Sequence, residues 1–207
     1  MVRWSSIERA LRAEGAALIA GVDEVGRGPL AGPVVACAVV MPGELRAIAG
    51  VADSKTLPSA ERERLAALIR KRALAVSLGA ASVREIATLN IYQATALAMR
   101  RALRRLPMTP DVILVDGKPI RTLGVAHRAV VSGDSKCYSV ACASIVAKVT
   151  RDRLMALLGQ RYPVYGWGMN AGYGTSAHLA ALEDAGLSVH HRLTFCRTAL
   201  GVQLELA

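Results

Sequence analysis

Apolar residues dominate positions 17–41 as two runs, ALIAGVDEV and PVVACAVVM, separated by the glycine- and proline-rich GRGPLAG. Runs of this length bounded by turn residues predict two strands that pair as antiparallel neighbours. SAERERLAALIRKRA at 59–73 has helical spacing behind Pro58 and Ser59 and predicts a capped amphipathic helix. LAVSLGAASV at 74–83 reads as a third strand. NIYQATALAMRRALRRL at 90–106 reads as a second helix, with Arg100, Arg101, Arg104 and Arg105 as a solvated basic end. DVILVDG at 111–117 and AHRAVVSGD at 126–134 are further strands. CYSVACASIVAKVTRDRLMALL at 137–158 is a long helix with small residues on most faces, which suits close packing on a sheet. RYPVYGWGMNAGYGT at 161–175 reads as a loop, and SAHLAALEDAG at 176–186 as a last short helix. The order predicts an α/β fold, a mixed sheet with helices on both faces.

Composition narrows the partners. The 207 residues are 53% hydrophobic, enough for one sizeable core plus a small appendage. A net charge of +10 points to a polyanion, nucleic acid before an anionic membrane. No apolar run is long enough to span a bilayer, and MVRWSSIERALRAEG is amphipathic and unlike a secretory signal, so a cytoplasmic location is expected. Cys37, Cys137, Cys142 and Cys196 are scattered without metal-ligand spacing and read as buried thiols of a reducing compartment.

Three apolar runs each end in carboxylates beside glycine: GVDEVGRG, ILVDGKP and VVSGDSK. Strand ends are where open α/β sheets build their sites. If these strands meet, Asp23, Glu24, Asp116 and Asp134 converge, and such a group stays ionised only beside cations. Hard oxygen ligands select Mg²⁺ or Mn²⁺, and the cluster suits a two-metal site that clamps a phosphodiester. Other readings stay open. Asp134 could cap the following helix, and Asp116 before Gly117 could be a turn residue. Asp23 and Glu24, being adjacent, point to opposite faces of a regular strand and share a site only if the strand bends or ends there. GRGPLAG has the wrong glycine spacing for a dinucleotide fingerprint, and Pro33 and Val34 stand where a phosphate loop needs Lys and Ser/Thr.

Taken in order, DEVGRG, DSK at 53–55, VDG at 115–117, GDSK at 133–136, ASIVAKVTRD at 143–152 and GYGT at 172–175 resemble the bacterial ribonuclease HII family, over residues 16–197. The resemblance implies a ribonuclease H-like core with a mixed five-stranded sheet flanked by helices, residues 1–160, and a small C-terminal helical extension, residues 161–207. It implies that Asp23, Glu24, Asp116 and Asp134 hold two divalent ions. It places Gly26, Arg27 and Gly28 against the ribose 2′-hydroxyl, Tyr173 on the sugar 3′ of the ribonucleotide, and Lys55 and Lys136 on phosphates. The implied reaction is hydrolysis 5′ of a ribonucleotide in RNA/DNA hybrids or within duplex DNA, leaving a 3′-hydroxyl and a 5′-phosphate. That would serve the removal of misincorporated ribonucleotides and primer RNA. A monomer without an obligate protein partner is expected.

Two departures stand out. Asn170 and Ala171 replace the His-Lys that often precedes GYGT, and Arg197 replaces a proline after Phe195. GVQLELA shows no sliding-clamp motif. His178 reads as structural; His127, His190 and His191 read as solvated or core-edge, and Tyr165 and Trp167 as packing residues.

Overall fold

The structure, a computed structural model, describes residues 4–201; the GVQLELA motif reading concerns residues that, from 202 on, lie outside them. Five strands form one sheet in the order β3-β2-β1-β4-β5. These are β1 (Ile19–Val25), β2 (Val34–Val40), β3 (Ala75–Ala81), β4 (Val112–Asp116) and β5 (Arg128–Val130). The first three are antiparallel neighbours, whereas β4 joins β1, and β5 joins β4, in parallel. Helix α3 (Val83–Arg104) covers one face, and α2 (Ser59–Arg72) and α5 (Tyr138–Arg161) cover the other. The two-residue period of the strands assigns side chains between them. Ala36, Ala38 and Val40 of β2 pack with Ala94, Ala98 and Met99 of α3, while Cys37 and Val39 pack with Ala141 and Ile145 of α5. Small residues bring α5 very near the sheet: a Cβ on Gly21 would lie 2.1 Å from the Ser139 carbonyl carbon. All four cysteines are buried and free.

The amphipathic N-terminal segment folds as α1 (Ser6–Ala13), opened by a capping box between Ser5 and Glu8. Glu8 also reaches the next layer. Fully buried, its carboxylate accepts hydrogen bonds from the Tyr138 amide (3.0 Å), the Ser139 amide (2.8 Å) and the Ser139 hydroxyl (2.7 Å). It therefore satisfies orphan amides at the positive end of α5 from a distant part of the chain.

Several boundaries differ from the sequence reading. Helix α3 begins at a Ser82–Glu85 capping box, before the expected start at Asn90. Asn90 is instead a kink with φ 67°, and its side-chain oxygen accepts the Gln93 amide (3.1 Å) to recap the second half. The basic end of α3 is not simply solvated: Arg101 pairs with Glu85 (2.6 Å) and Arg105 donates to the Leu78 carbonyl (2.8 Å), tying α3 to the β3 edge. β5 stops at Val130, and Asp134 lies beyond it in a single helical turn, α4 (Gly133–Lys136). The 161–175 stretch holds the short turn Pro163–Tyr165 and α6 (Trp167–Asn170). After α7 (Ser176–Ala185) comes one more helix, α8 (Leu193–Ala199), whose first turn lacks a side-chain cap. Among the described residues no helix is long and apolar enough to cross a membrane.

Removing the Glu8 carboxylate leaves two buried amides without acceptors. Glu8→Ala is expected to lower unfolding free energy by about 2–4 kcal/mol, read as a fall in the urea midpoint at unchanged slope.

Candidate active site

β1 and β4 run in parallel, with Val22 opposite Val115, so their carboxyl ends meet. Asp23 and Glu24 stand at the end of one and Asp116 at the end of the other. The two adjacent acids do point to opposite faces, and β1 ends one residue later at Val25. A cleft of about 350 Å³ on the α5 side is lined by Asp23, Glu24, Asp116, Ser54, Lys55, Ser144, Lys148 and Tyr173, among others. A second of about 460 Å³ on the α3 side includes Glu24, Asp116, Arg27, Tyr92 and Lys118. Glu24 and Asp116 belong to both, so the acids form a ridge over which the two clefts join. A larger cleft of about 520 Å³, between the end of α3 and the start of β4, is mainly apolar and gathers no comparable set of acids.

Asp134 reaches this ridge from α4. The Gly133 amide donates to Asp116 Oδ1 (2.6 Å), and Lys55 Nζ lies 3.6 Å from Asp134 Oδ2. The N-cap of α4 is Ser132 and the start of α5 is held by Glu8, so Asp134 is not the cap of the long helix. Gly117, with φ 86°, does make the turn expected after Asp116, whose carboxylate is engaged as well.

The acids are costly to bury. Burial pushes the Asp23 carboxyl well above the usual carboxylate range; Glu24 and Asp116 push it further, and the Ser144 hydroxyl and Glu24 amide offset only part of this. Glu24 is raised by burial and by Asp116, against the guanidinium of Arg27 at 3.2 Å. Asp134 is raised by burial, Asp116 and Asp53, against Lys55. For Lys55 burial works downward, but Asp134, Asp53 and Asp23 raise its ammonium overall. Negative charge thus exceeds what the protein's own cations neutralise. An all-oxygen donor set with such an excess fits a hard divalent ion. Among the described residues no three acid, His or Cys side chains are already drawn together as ligands of one ion.

Two buried guanidiniums fix the loop beside the acids. Arg151 of α5 donates to the carbonyls of Pro33 (3.0 Å), Ala31 (3.0 Å) and Ala171 (2.9 Å). Arg192 donates to the carbonyls of Gly32 (2.8 Å), Arg27 (2.8 Å) and Gly26 (2.5 Å). Among the described residues neither pairs with a carboxylate, and burial lowers both, Arg192 to about 9, which leaves them charged at neutral pH. Gly26, at φ 90°, has no room for a side chain: a Cβ would fall 2.1 Å from Arg151 Nε. A Cβ on Gly28 would be 3.9 Å from the Tyr173 ring, so main chain and ring face each other across a narrow gap.

Of the positions singled out in the sequence, Asp23, Glu24, Asp116, Lys55 and Tyr173 share the α5-side cleft, and Arg27 lines the other. Lys136 is not brought to either: its ammonium donates to the Val131 carbonyl (2.7 Å), because the α4 turn carries it away from Asp134. The reading from sequence gave no role to Ser144, Lys148, Arg151 or Arg192. Ser144, Lys148 and Arg151 lie within the ASIVAKVTRD motif, where membership of the motif was the available signal; Arg192, after His190 and His191, had none. Asn170 has a structural task, accepting the Gly172 amide (2.8 Å) and donating to the Tyr165 carbonyl (2.8 Å).

Asp23 is an acid whose folded pKa lies above its unfolded one. Its contribution to stability is therefore fully present below the unfolded value of about 4 and is lost as the pH rises from there through the higher folded value. Without divalent metal, Asp23→Asn is expected to raise the melting temperature at neutral pH, by about 3 °C for each kcal/mol relieved. The difference is expected to close by about pH 4. Calorimetry in EDTA across that range checks it.

Comparison with known proteins supplies the family and agrees with the fold. The family model for Ribonuclease HII matches residues 20–198. Ribonuclease HII of Granulibacter bethesdensis is 54% identical over 201 residues, covering 94% of this chain and 92% of that protein. The ribonuclease H2 structure from Pyrococcus horikoshii superposes with a TM-score of 0.74 at 28% identity, covering 89% of this chain and 97% of that one. Ribonuclease HII of Archaeoglobus fulgidus, solved in complex with PCNA, gives 0.70 at 26% identity, covering 85% and 94%. The chain belongs to the ribonuclease HII family and is a metal-dependent ribonuclease H, its acids standing at the ends of β1 and β4 and in α4.

Proposed function

We propose that this enzyme hydrolyses the phosphodiester on the 5′ side of a ribonucleotide, in RNA/DNA hybrids and at single ribonucleotides within duplex DNA, leaving a 3′-hydroxyl and a 5′-phosphate. Such an activity removes misincorporated ribonucleotides and primer RNA. The observation that carries the reading is the juxtaposition of the acidic ridge with the glycine loop and Tyr173. Asp23, Glu24, Asp116 and Asp134 would hold Mg²⁺ or Mn²⁺, two ions per site. When bound, the ions neutralise the ridge, polarise the scissile phosphate and stabilise the leaving oxygen.

The remaining work falls to the chain's own residues. The Gly26–Gly28 main chain, kept in place by Arg151 and Arg192, offers a surface without side-chain bulk to the ribose 2′-hydroxyl, the group that separates RNA from DNA. The Tyr173 ring, 44% exposed over Gly28, is placed to pack on the sugar on the 3′ side. Lys55 sits beside Asp134, where its ammonium meets an incoming phosphate; Arg27 does the same on the α3 side. Lys136 takes no part in this reading.

The test is a labelled DNA duplex with one ribonucleotide, incubated with Mg²⁺ or Mn²⁺. A metal-dependent cut immediately 5′ of the ribonucleotide is expected, abolished by EDTA. Asp116→Asn should reduce turnover by at least roughly 10³-fold while its melting temperature stays at or above that of the parent. Cutting 3′ of the ribonucleotide, or equally at deoxynucleotides, would overturn the reading.

A further inference from the structure

His178 and His191 lie buried behind the Tyr173 loop, between α7 and the segment leading to α8, and the chemistry described so far uses neither. Their four ring nitrogens have defined partners. His178 Nδ1 faces the Tyr173 carbonyl at 2.8 Å, and His178 Nε2 faces both the Trp167 indole N–H (3.1 Å) and His191 Nε2 (3.0 Å). His191 Nδ1 faces the Ser188 amide at 2.9 Å.

Those partners leave one consistent arrangement of protons. A carbonyl only accepts, so His178 must carry its proton on Nδ1. An indole only donates, so His178 Nε2 must be the acceptor. A main-chain amide only donates, so His191 Nδ1 accepts and its Nε2–H points at His178. The result is a one-way chain, Ser188 amide to His191 to His178 to the Tyr173 carbonyl. Burial lowers both imidazoles, His191 to about 4 with His178 and His190 adding to the fall, so both are neutral at pH 7. A proton on His178 Nε2 would meet two N–H groups.

We propose that His178, oriented by His191 and Trp167, is a positioning residue that fixes the Tyr173 main chain and so sets the ring at the mouth of the acidic cleft. Arg151 secures the loop two residues earlier, through the Ala171 carbonyl, and the Gly172 carbonyl accepts from the Leu30 amide (2.8 Å). Tyr173 itself is held by the Asn170 carbonyl, the Thr175 amide and this imidazole. Losing the imidazole removes one of these three restraints on the residue that faces Gly28 while leaving the acids in place. The inference rests on the role proposed for Tyr173 in reading the sugar.

The experiment compares the full-length enzyme with His178→Ala, His178→Asn, Tyr173→Ala and the Tyr173→Ala/His178→Ala double variant, on a single-ribonucleotide duplex and on a continuous RNA/DNA hybrid. His178→Ala is expected to lower kcat on the single ribonucleotide by roughly 10-fold and hybrid turnover by less than about 2-fold. His178→Asn, which keeps a donor near the Tyr173 carbonyl, should recover most of the loss. The double variant should equal Tyr173→Ala, since one residue acts through the other. Parallel loss on both substrates, no loss, or additive effects in the double variant would overturn the proposal. An unchanged substrate preference in Tyr173→Ala would instead overturn the reading of Tyr173. In that case the hydrogen-bond chain is judged on its own by ¹⁵N shifts of the labelled histidines: Nδ1–H for His178 with Nε2–H for His191 supports it, and the reverse tautomers refute it.

Discussion

Two buried positive charges, neither paired with a carboxylate among the described residues, hold the loop of this site together. Taking a guanidinium out of water costs several kcal/mol unless its N–H groups find acceptors. Arg151 and Arg192 find them in the carbonyls of one short loop, residues 26–33, with Ala171 added. The dependence is mutual. The loop has little side-chain mass with which to hold itself, and among the described residues the arginines' hydrogen bonds go to these carbonyls, with the Phe195 ring 5.3 Å from the Arg192 guanidinium. The glycines follow from this bargain, since Gly26 and Gly32 leave the space that the Arg151 and Met155 side chains occupy. The same absence of side chains brings the main chain close to Tyr173. One packing solution thus shapes both the support of the loop and the face it offers to a substrate.

The acids pose the opposite electrostatic problem. Asp23 and Asp134 are nearly inaccessible, and Glu24 and Asp116 share their field. Lys55 and Arg27 are the nearest cations, and both are largely exposed, which weakens them as counter-ions. The fold therefore holds an unfavourable concentration of like charge, at a cost to its own stability, as sites shaped for a cation commonly do.

Much of this was legible in the residues. The strand runs were distinct because a sheet buried on both faces demands nearly unbroken apolar sequence, and the carboxylates stood out as interruptions of it. The order of the six motifs then specified the family. What could not be read were features decided by distant contacts. The cap of α5 comes from Glu8, and no local pattern around Tyr138 announces it. Helix α3 was started at Asn90, where a kink joins two helical segments; the capping box at Ser82 and Glu85 was the available signal. Lys136 looked equivalent to Lys55, both following an Asp-Ser pair, but the helical turn of α4 sends its ammonium elsewhere. Arg151 and Arg192 are ordinary letters in the sequence; their importance lies in bonds that span 118 to 166 positions.

Those spans bear on how the protein is made. The Gly26 carbonyl is anchored by a side chain 166 positions later, and the Glu8 carboxylate meets the Tyr138 amide at the start of α5 only 130 positions later. Closing loops of that size is slow and yields nothing until both ends are present. During translation Asp23 and Glu24 emerge early, but the loop beside them lacks the Arg192 part of its support until residue 192 has left the ribosome. A chain still in synthesis therefore carries its first two acids well before the guanidinium of Arg192 that fixes the loop beside them.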